Sequence, residues 1–164
     1  MVGENVLICD DERLFALDLE KRVESLGYNV CAIAANGEDA VELARKVGPQ
    51  LALMDIRLNG GLTGIETAQI LHDELKIPSI FVSAYSDKET LRQALQPQPL
   101  GFLVKPVVDR DLKIAMEVGF SSQQAHQNLE QEVRRYREFF SQSSGSGYVP
   151  FHADINTYLA HEAR

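Results

Sequence analysis

The sequence predicts an α/β fold, a doubly wound sheet of five parallel strands with helices on both faces. Three observations predict it. Five short apolar runs alternate with five helical stretches over the first 120 residues. The runs are apolar almost throughout, as strands are when both of their faces are covered by helices. The residues that end the runs are polar or charged: Asp10-Asp11, Asp55, Ser83-Ala84 and Lys105-Pro106. In open α/β sheets the working residues collect beyond the carboxyl ends of the strands.

The elements follow in order. Val6–Asp10 (VLICD) is the first run. From Glu12 to Leu26, Phe15, Leu19, Val23 and Leu26 fall at helical spacing, and Gly27 stands where a helix would stop. VCAIAA (Val30–Ala35) is the second run, closed by Asn36-Gly37. GEDAVELARKVG then reads as a helix ending at Gly48, and LALMD (Leu51–Asp55) is the third run. A glycine-rich loop, RLNGGLTG, leads into the helix IETAQILHDEL. SIFVSA (Ser79–Ala84) follows Ile77-Pro78 and precedes a helix near Lys88–Leu95. GFLVKP (Gly101–Pro106) is the fifth run, and Asp109 begins the last helix.

Composition bounds the function. The chain has 164 residues, 45% hydrophobic and 24% charged, with a net charge of −8. That charge argues against a general affinity for nucleic acid, whose phosphates require Lys and Arg, and suits a cation site. No apolar run approaches the roughly 20 residues needed to cross a bilayer, and MVGENVLICDDE lacks the basic start and long apolar core of a secretion signal. The expectation is a cytoplasmic protein without a membrane partner, in which Cys9 and Cys31 are free, buried thiols.

Two adjacent carboxylates at the end of an apolar run repel each other unless a cation lies among them. Asp10, Asp11 and Asp55 at one sheet edge suit Mg²⁺, a hard octahedral ion that takes oxygen ligands and keeps several waters. A plainer role for Asp10 or Asp11 is to cap the following helix. The matching positions of Asp55 and Lys105 at other strand ends favour the metal site.

With these residues in this order, the chain resembles the receiver domain of two-component response regulators from about Asn5 to Gly119. The resemblance rests on Asp10-Asp11, Asp55, Ser83-Ala84 and Lys105-Pro106 after the first, third, fourth and fifth strands, and on the wording DIRLNGGLTGIETA and GFLVKP. It implies a flavodoxin-like sheet of order 2-1-3-4-5 and a receiver spanning residues 4–119. It implies that Asp55 is a phosphoacceptor for a sensor histidine kinase or a phosphotransfer protein. Asp11, Asp55 and the backbone carbonyl of Arg57 would hold Mg²⁺ directly, and Asp10 mainly through water. Lys105, in a cis Lys-Pro pair, would balance the phosphoryl oxygens. Ser83 would bond the transferred group, and Phe102 would be the aromatic that rotates with it. Arg57 and Tyr85, each two residues past a site residue, would tune how long the acyl phosphate lasts. The family often has Tyr where Phe102 stands, so any coupling here runs through packing. The loop from Asp55 to Gly64 is one residue longer than in compact receivers, owing to Gly60-Gly61.

From Ser121 the composition turns polar. Leu129, Val133, Tyr136 and Phe140 form a heptad-like stripe, too short alone for a coiled coil. Residues 120–141 therefore read as a helical linker, either one through which a second copy of the chain can pair or an amphipathic helix folded back on its own domain. Residues 142–164 open with SQSSGSG and read as a flexible tail or the start of a further domain. RRYREFFSQS is faintly similar to the entry of a PAS sensor domain. Residues 121–164 hold 4 of the 16 basic and 5 of the 24 acidic residues and no helix-turn-helix signature, so no nucleic-acid contact is expected through this chain.

Two other functions compete. A Mg²⁺-dependent phosphohydrolase with an Asp nucleophile wants a second acid two residues on. Arg57 stands there and cannot donate a proton at neutral pH. A nucleotide- or flavin-binding module wants a glycine fingerprint after the first strand, and none is present. The expectation is a switch without separate turnover.

Overall fold

The computed structural model describes residues 3–84 and 88–142. Strands β1 (Asn5–Cys9), β2 (Asn29–Ala34), β3 (Leu51–Met54), β4 (Ser79–Ser83) and β5 (Gly101–Val104) alternate with helices α1 (Arg13–Ser25), α2 (Gly37–Val47), α3 (Gly64–Leu75), α4 (Lys88–Ala94) and α5 (Asp109–Gln142). Every strand pairing is parallel, in the order β2-β1-β3-β4-β5. The chain first winds outward from β1 to β2 and then crosses back to β3. The carboxyl ends of β1 and β3 therefore flank the point where winding reverses, which is where open α/β sheets form their crevice.

The two-residue period of a strand sorts side chains into two cores. Val6 and Ile8, Leu51 and Leu53, Ile80 and Val82, and Leu103 pack with Ala16, Leu19 and Val23 of α1 and Leu112, Met116 and Phe120 of α5. Leu7 and Cys9, Ala52 and Met54, and Phe81 pack on the other face with Ala40 and Ala44 of α2, Ala68 and Leu71 of α3, and Ala94 of α4. Each fully buried Leu or Val contributes about 1.5–3 kcal/mol relative to exposure. Small residues on the second face let α2 and α3 close in, and a Cβ on Gly37 would lie 2.1 Å from Thr67 Oγ1.

Helix ends follow local chemistry. Asn36 Oδ1 accepts from Asp39 N at 2.8 Å to start α2, and Gly48 ends it in the left-handed region, its N–H on Ala44 O. Thr63 and Glu66 form a reciprocal capping box at the start of α3. Capping is less direct at α1: its N-cap is Glu12, whose side chain makes no cap bond.

The structure departs from the sequence reading in two places. Cys9 is buried, but Cys31 is only partly so. Val30 pairs with Val6 and Ala32 with Leu7, so Cys31 is the extra residue of a bulge. β5 is an edge strand, and Phe102 and Val104 are 38% and 68% exposed, unlike the buried runs of β1, β3 and β4. α5 runs through the composition change at Ser121 as one helix to Gln142. The chain divides into two units, Met1–Ser122 and Gln123–Arg164. In the first, Phe120 stacks on Tyr28 with centroids 5.1 Å apart. In the second, Leu129 is exposed and Val133 partly buried. The side chains of Tyr136 and Phe140, and residues 143–164 of the expected tail, lie outside the described residues. Among the described residues, no helix is long and apolar enough to cross a membrane.

Candidate functional site

Strand parity carries past the strand ends. Asp10 follows Ile8 by two residues, Asp55 follows Leu53 and Lys105 follows Leu103, so all three continue the face that packs on α1 and α5. Backbone bonds extend the ladder through these positions: Asp10 N to Ala34 O at 3.0 Å, Asp55 N to Cys9 O at 2.9 Å and Lys105 N to Ser83 O at 2.8 Å. These three side chains thus sit on a hydrogen-bonded continuation of the sheet.

Asp10, Asp11 and Asp55 each offer a carboxylate oxygen within 4.8 Å of the others. Asp10 and Asp55 are 3% and 6% exposed, and Asp11 is partly buried. Lys105 Nζ donates to Asp10 Oδ2 at 2.8 Å and to Asp55 Oδ2 at 3.3 Å, and lies 3.5 Å from Glu12 Oε1. It also sits 4.1 Å from the centroid of the Phe15 ring, a cation–π contact. The Lys105-Pro106 bond is cis, as the resemblance implies.

Other carboxylate oxygens accept further hydrogen bonds. Asp10 Oδ1 accepts from Glu12 N at 2.8 Å, so Asp10 combines a bond at the start of α1 with its place among the acids. Asp55 Oδ1 accepts from Arg57 N at 3.1 Å. Asp11 Oδ2 accepts from Asn59 Nδ2 at 2.6 Å. Asp11, Asp55, Arg57, Ser83, Ala84 and Lys105 line one cleft of about 330 Å³ together with Glu12 and Asn59. Ser83 is buried at the end of β4.

Electrostatics follow from burial and this pairing. Burial pushes the Asp55 carboxyl above its ordinary value; the Arg57 N–H and the Lys105 charge oppose the rise, and Asp10 adds to it. Burial pulls Lys105 down, but its bond to Asp10 and the charges of Asp55 and Asp10 outweigh this and leave it raised. Burial, reinforced by the nearby acids, pushes the Cys9 thiol up to about 12, so it is no nucleophile at neutral pH.

All of Asp10, Asp11, Asp55, Ser83, Arg57 and Lys105 come together. Phe102 lies on β5, stacked on Phe81 at 5.7 Å between centroids, with its other side open to solvent. Tyr85 lies outside the described residues. Three contributors are not evident in the sequence pattern. Glu12 directly follows the acidic pair but reads as a helix start. Phe15 reads as part of the α1 core stripe. Asn59 lies in a loop whose path no periodicity specifies.

A family model described as "Response regulator receiver domain" matches residues 6–117. The transcriptional regulatory protein PdtaR of Mycobacterium tuberculosis (strain H37Rv) is 31% identical over 137 residues, 84% of this chain and 66% of PdtaR. The phyllosphere-induced regulator PhyR of Methylorubrum extorquens is 32% identical over 130 residues, 79% of this chain and 48% of PhyR. The match thus spans less than two thirds of these relatives' own length. Among solved structures, the signal receiver domain of a modulated diguanylate cyclase from Desulfovibrio desulfuricans G20 superposes with a TM-score of 0.72 at 39% identity, covering 76% of this chain and 98% of that one.

Proposed function

This chain belongs to the response regulator receiver family of two-component systems, and from that premise we propose that Asp55 is its phosphoacceptor in a Mg²⁺-dependent switch. One observation carries the reading: Lys105 Nζ bridges Asp10 and Asp55 at the ends of β1 and β3, with Asp11 completing a trio of oxygens within 4.8 Å. Three hard oxygen donors at a cleft fit Mg²⁺, and Asp11, Asp55 and the carbonyl of Arg57 would hold it, with Asp10 behind them. When bound, the ion supplies positive charge to the phosphoryl oxygens.

The chain's own residues do the rest. An oxygen of Asp55 attacks the phosphorus of a phosphohistidine on the sensor kinase or phosphotransfer partner. The P–O bond forms as the P–N bond breaks, and the imidazole nitrogen keeps the electron pair. Phosphoryl transfer asks mainly for in-line positioning and charge neutralisation. The Arg57 N–H fixes the Asp55 carboxylate, and Lys105 is pre-placed to pair with the charge that Asp55 gains. Ser83, buried beside the cleft, then bonds a phosphoryl oxygen in the phosphorylated state only, which gives the two states different free energies. Phe102 follows by packing inward. Arg57, exposed at the mouth of the cleft, and Tyr85 screen the acyl phosphate from water.

Output passes to a second copy of the chain in this reading. Leu91 on α4, Leu95 just after it, Phe102 and Val104 on β5, and Ile114 and Val118 on α5 are exposed apolar side chains, and α5 continues to Gln142. Residues 4–119 act as the receiver, 120–141 as the helical connection, and a cytoplasmic location accompanies the family assignment.

Stoichiometry separates this switch from a Mg²⁺-dependent phosphohydrolase. Incubation of the full chain with acetyl phosphate and Mg²⁺ is expected to add one phosphoryl group per chain, stable to acid and labile to base. Continued release of phosphate at many equivalents per minute contradicts the reading.

A further inference from the structure

Asp11 is the most exposed of the three acids. Among the described residues, Lys105 reaches Asp10, Glu12 and Asp55 but not Asp11. A carboxylate beside two others is pushed to turn away from them. Asn59 opposes that turn, its Nδ2 donating to Asp11 Oδ2 at 2.6 Å. An amide suits the place because it is neutral: it fixes the carboxylate without adding a cation that would compete with a metal.

Asn59 is itself held from outside the cleft. Leu62 N donates to Glu38 Oε1 at 3.0 Å, so the first turn of α2 grips the loop between β3 and α3. Gly60 and Gly61 make the grip fit. Gly60 has φ +122, where other L residues are strained, and a Cβ on Gly61 would lie 2.5 Å from Glu38 Oε1. Thr63 and Glu66 close the far end with their capping box. The glycine pair that lengthens this loop is therefore the part pressed against Glu38, and it follows Asn59 directly.

We propose that Asn59 is a positioning residue that holds the Asp11 carboxylate in the rotation Mg²⁺ needs, and that the Glu38–Leu62 contact holds Asn59 in place. The inference rests on the reading of Asp11 as a metal ligand and extends it to one loop residue and one helix residue that touch neither metal nor phosphoryl group. Outer partners of metal ligands act in this way by fixing ligand orientation.

Calorimetric titration of MgCl₂ into the full chain tests it, with the Mg²⁺ dependence of labelling by acetyl phosphate as a second readout. Asn59→Leu, with the same branching and number of heavy atoms but no donor, is expected to raise the Mg²⁺ Kd about tenfold and to shift half-maximal labelling to higher Mg²⁺ by the same factor. Glu38→Ala is expected to move both in the same direction. Glu38→Gln keeps an oxygen acceptor for Leu62 N and is expected to stay within about twofold of the wild type. Unchanged or tighter Mg²⁺ binding in Asn59→Leu overturns the proposal, since the amide is then a bystander or a competitor. Glu38→Gln as weak as Glu38→Ala overturns the clamp, because the loss then follows charge alone. A wild-type chain that binds no Mg²⁺ and takes no label fails earlier and sinks the site reading itself.

Discussion

The proposed mechanism requires Asp55 to be ionised in a place that burial makes unfavourable for charge and where Asp10 adds repulsion. A carboxyl raised in the folded state contributes stability that is complete below its unfolded value, near 3.8, and lost as pH rises through the folded value. Asp55→Asn keeps the shape and removes that loss. Without Mg²⁺, the variant is expected to melt higher than the wild type at neutral pH, with the gap closing as pH falls toward 3.8. Added Mg²⁺ should narrow the gap by stabilising the wild type selectively, by about 1.4 kcal/mol at ten times its Kd. Melting curves across pH, with and without Mg²⁺, check this, and a gap that widens on acidification contradicts it. The acids and Lys105 were legible in the sequence because each ends an apolar run. Asn59 and Glu38 were not, since their meeting depends on the path of an irregular loop.

α3 begins at Gly64, which lies against the strand end that carries Asp55. A Cβ there would sit 1.7 Å from Asp55 O, and Gly64 N donates to Ile56 O at 3.0 Å. Gly64→Ala must push the first turn of α3 or the Asp55 backbone aside. Destabilisation of about 2–3 kcal/mol is expected from overpacking. Labelling by acetyl phosphate should slow by on the order of ten- to a hundredfold, since displacement of a reacting group by an ångström is costly. Urea melts and labelling rates measure both, and a wild-type rate would show that the close approach does not position Asp55. Strand boundaries and the order of elements could be read from the runs because β1, β3 and β4 are covered on both faces. β5 carries the same apolar signal, yet it is an edge strand with Phe102 and Val104 exposed. Composition does not distinguish an apolar residue packed by its own chain from one kept for a partner.

The receiver, the helical connection and a second copy form one thermodynamic system in the reading above. Phosphorylation shifts dimerisation only by its differential free energy in the two states. Leu129 is 47% exposed, so Leu129→Glu together with Val133→Glu should leave the receiver folded while disrupting pairing along α5. Sedimentation of the full wild-type chain is expected to shift to dimer mass with beryllium fluoride, and the double variant to remain monomeric. Equal dimerisation of both assigns the interface to the receiver face instead. A net charge of −8 resists self-association, so the shift should grow with salt that screens it.

The central claim is that Asp55 alone takes the phosphoryl group, and this sequence allows an unusually direct test. Cleavage after Lys46 and Arg57 releases VGPQLALMDIR, residues 47–57, in which Asp55 is the sole acid and no Ser, Thr, Tyr or His occurs. Mass mapping of the full chain after acetyl phosphate and Mg²⁺ should find one phosphoryl unit on this peptide, absent in Asp55→Asn and absent when the metal is chelated. A labelled Ser or His peptide, or a label that survives Asp55→Asn, would contradict the account.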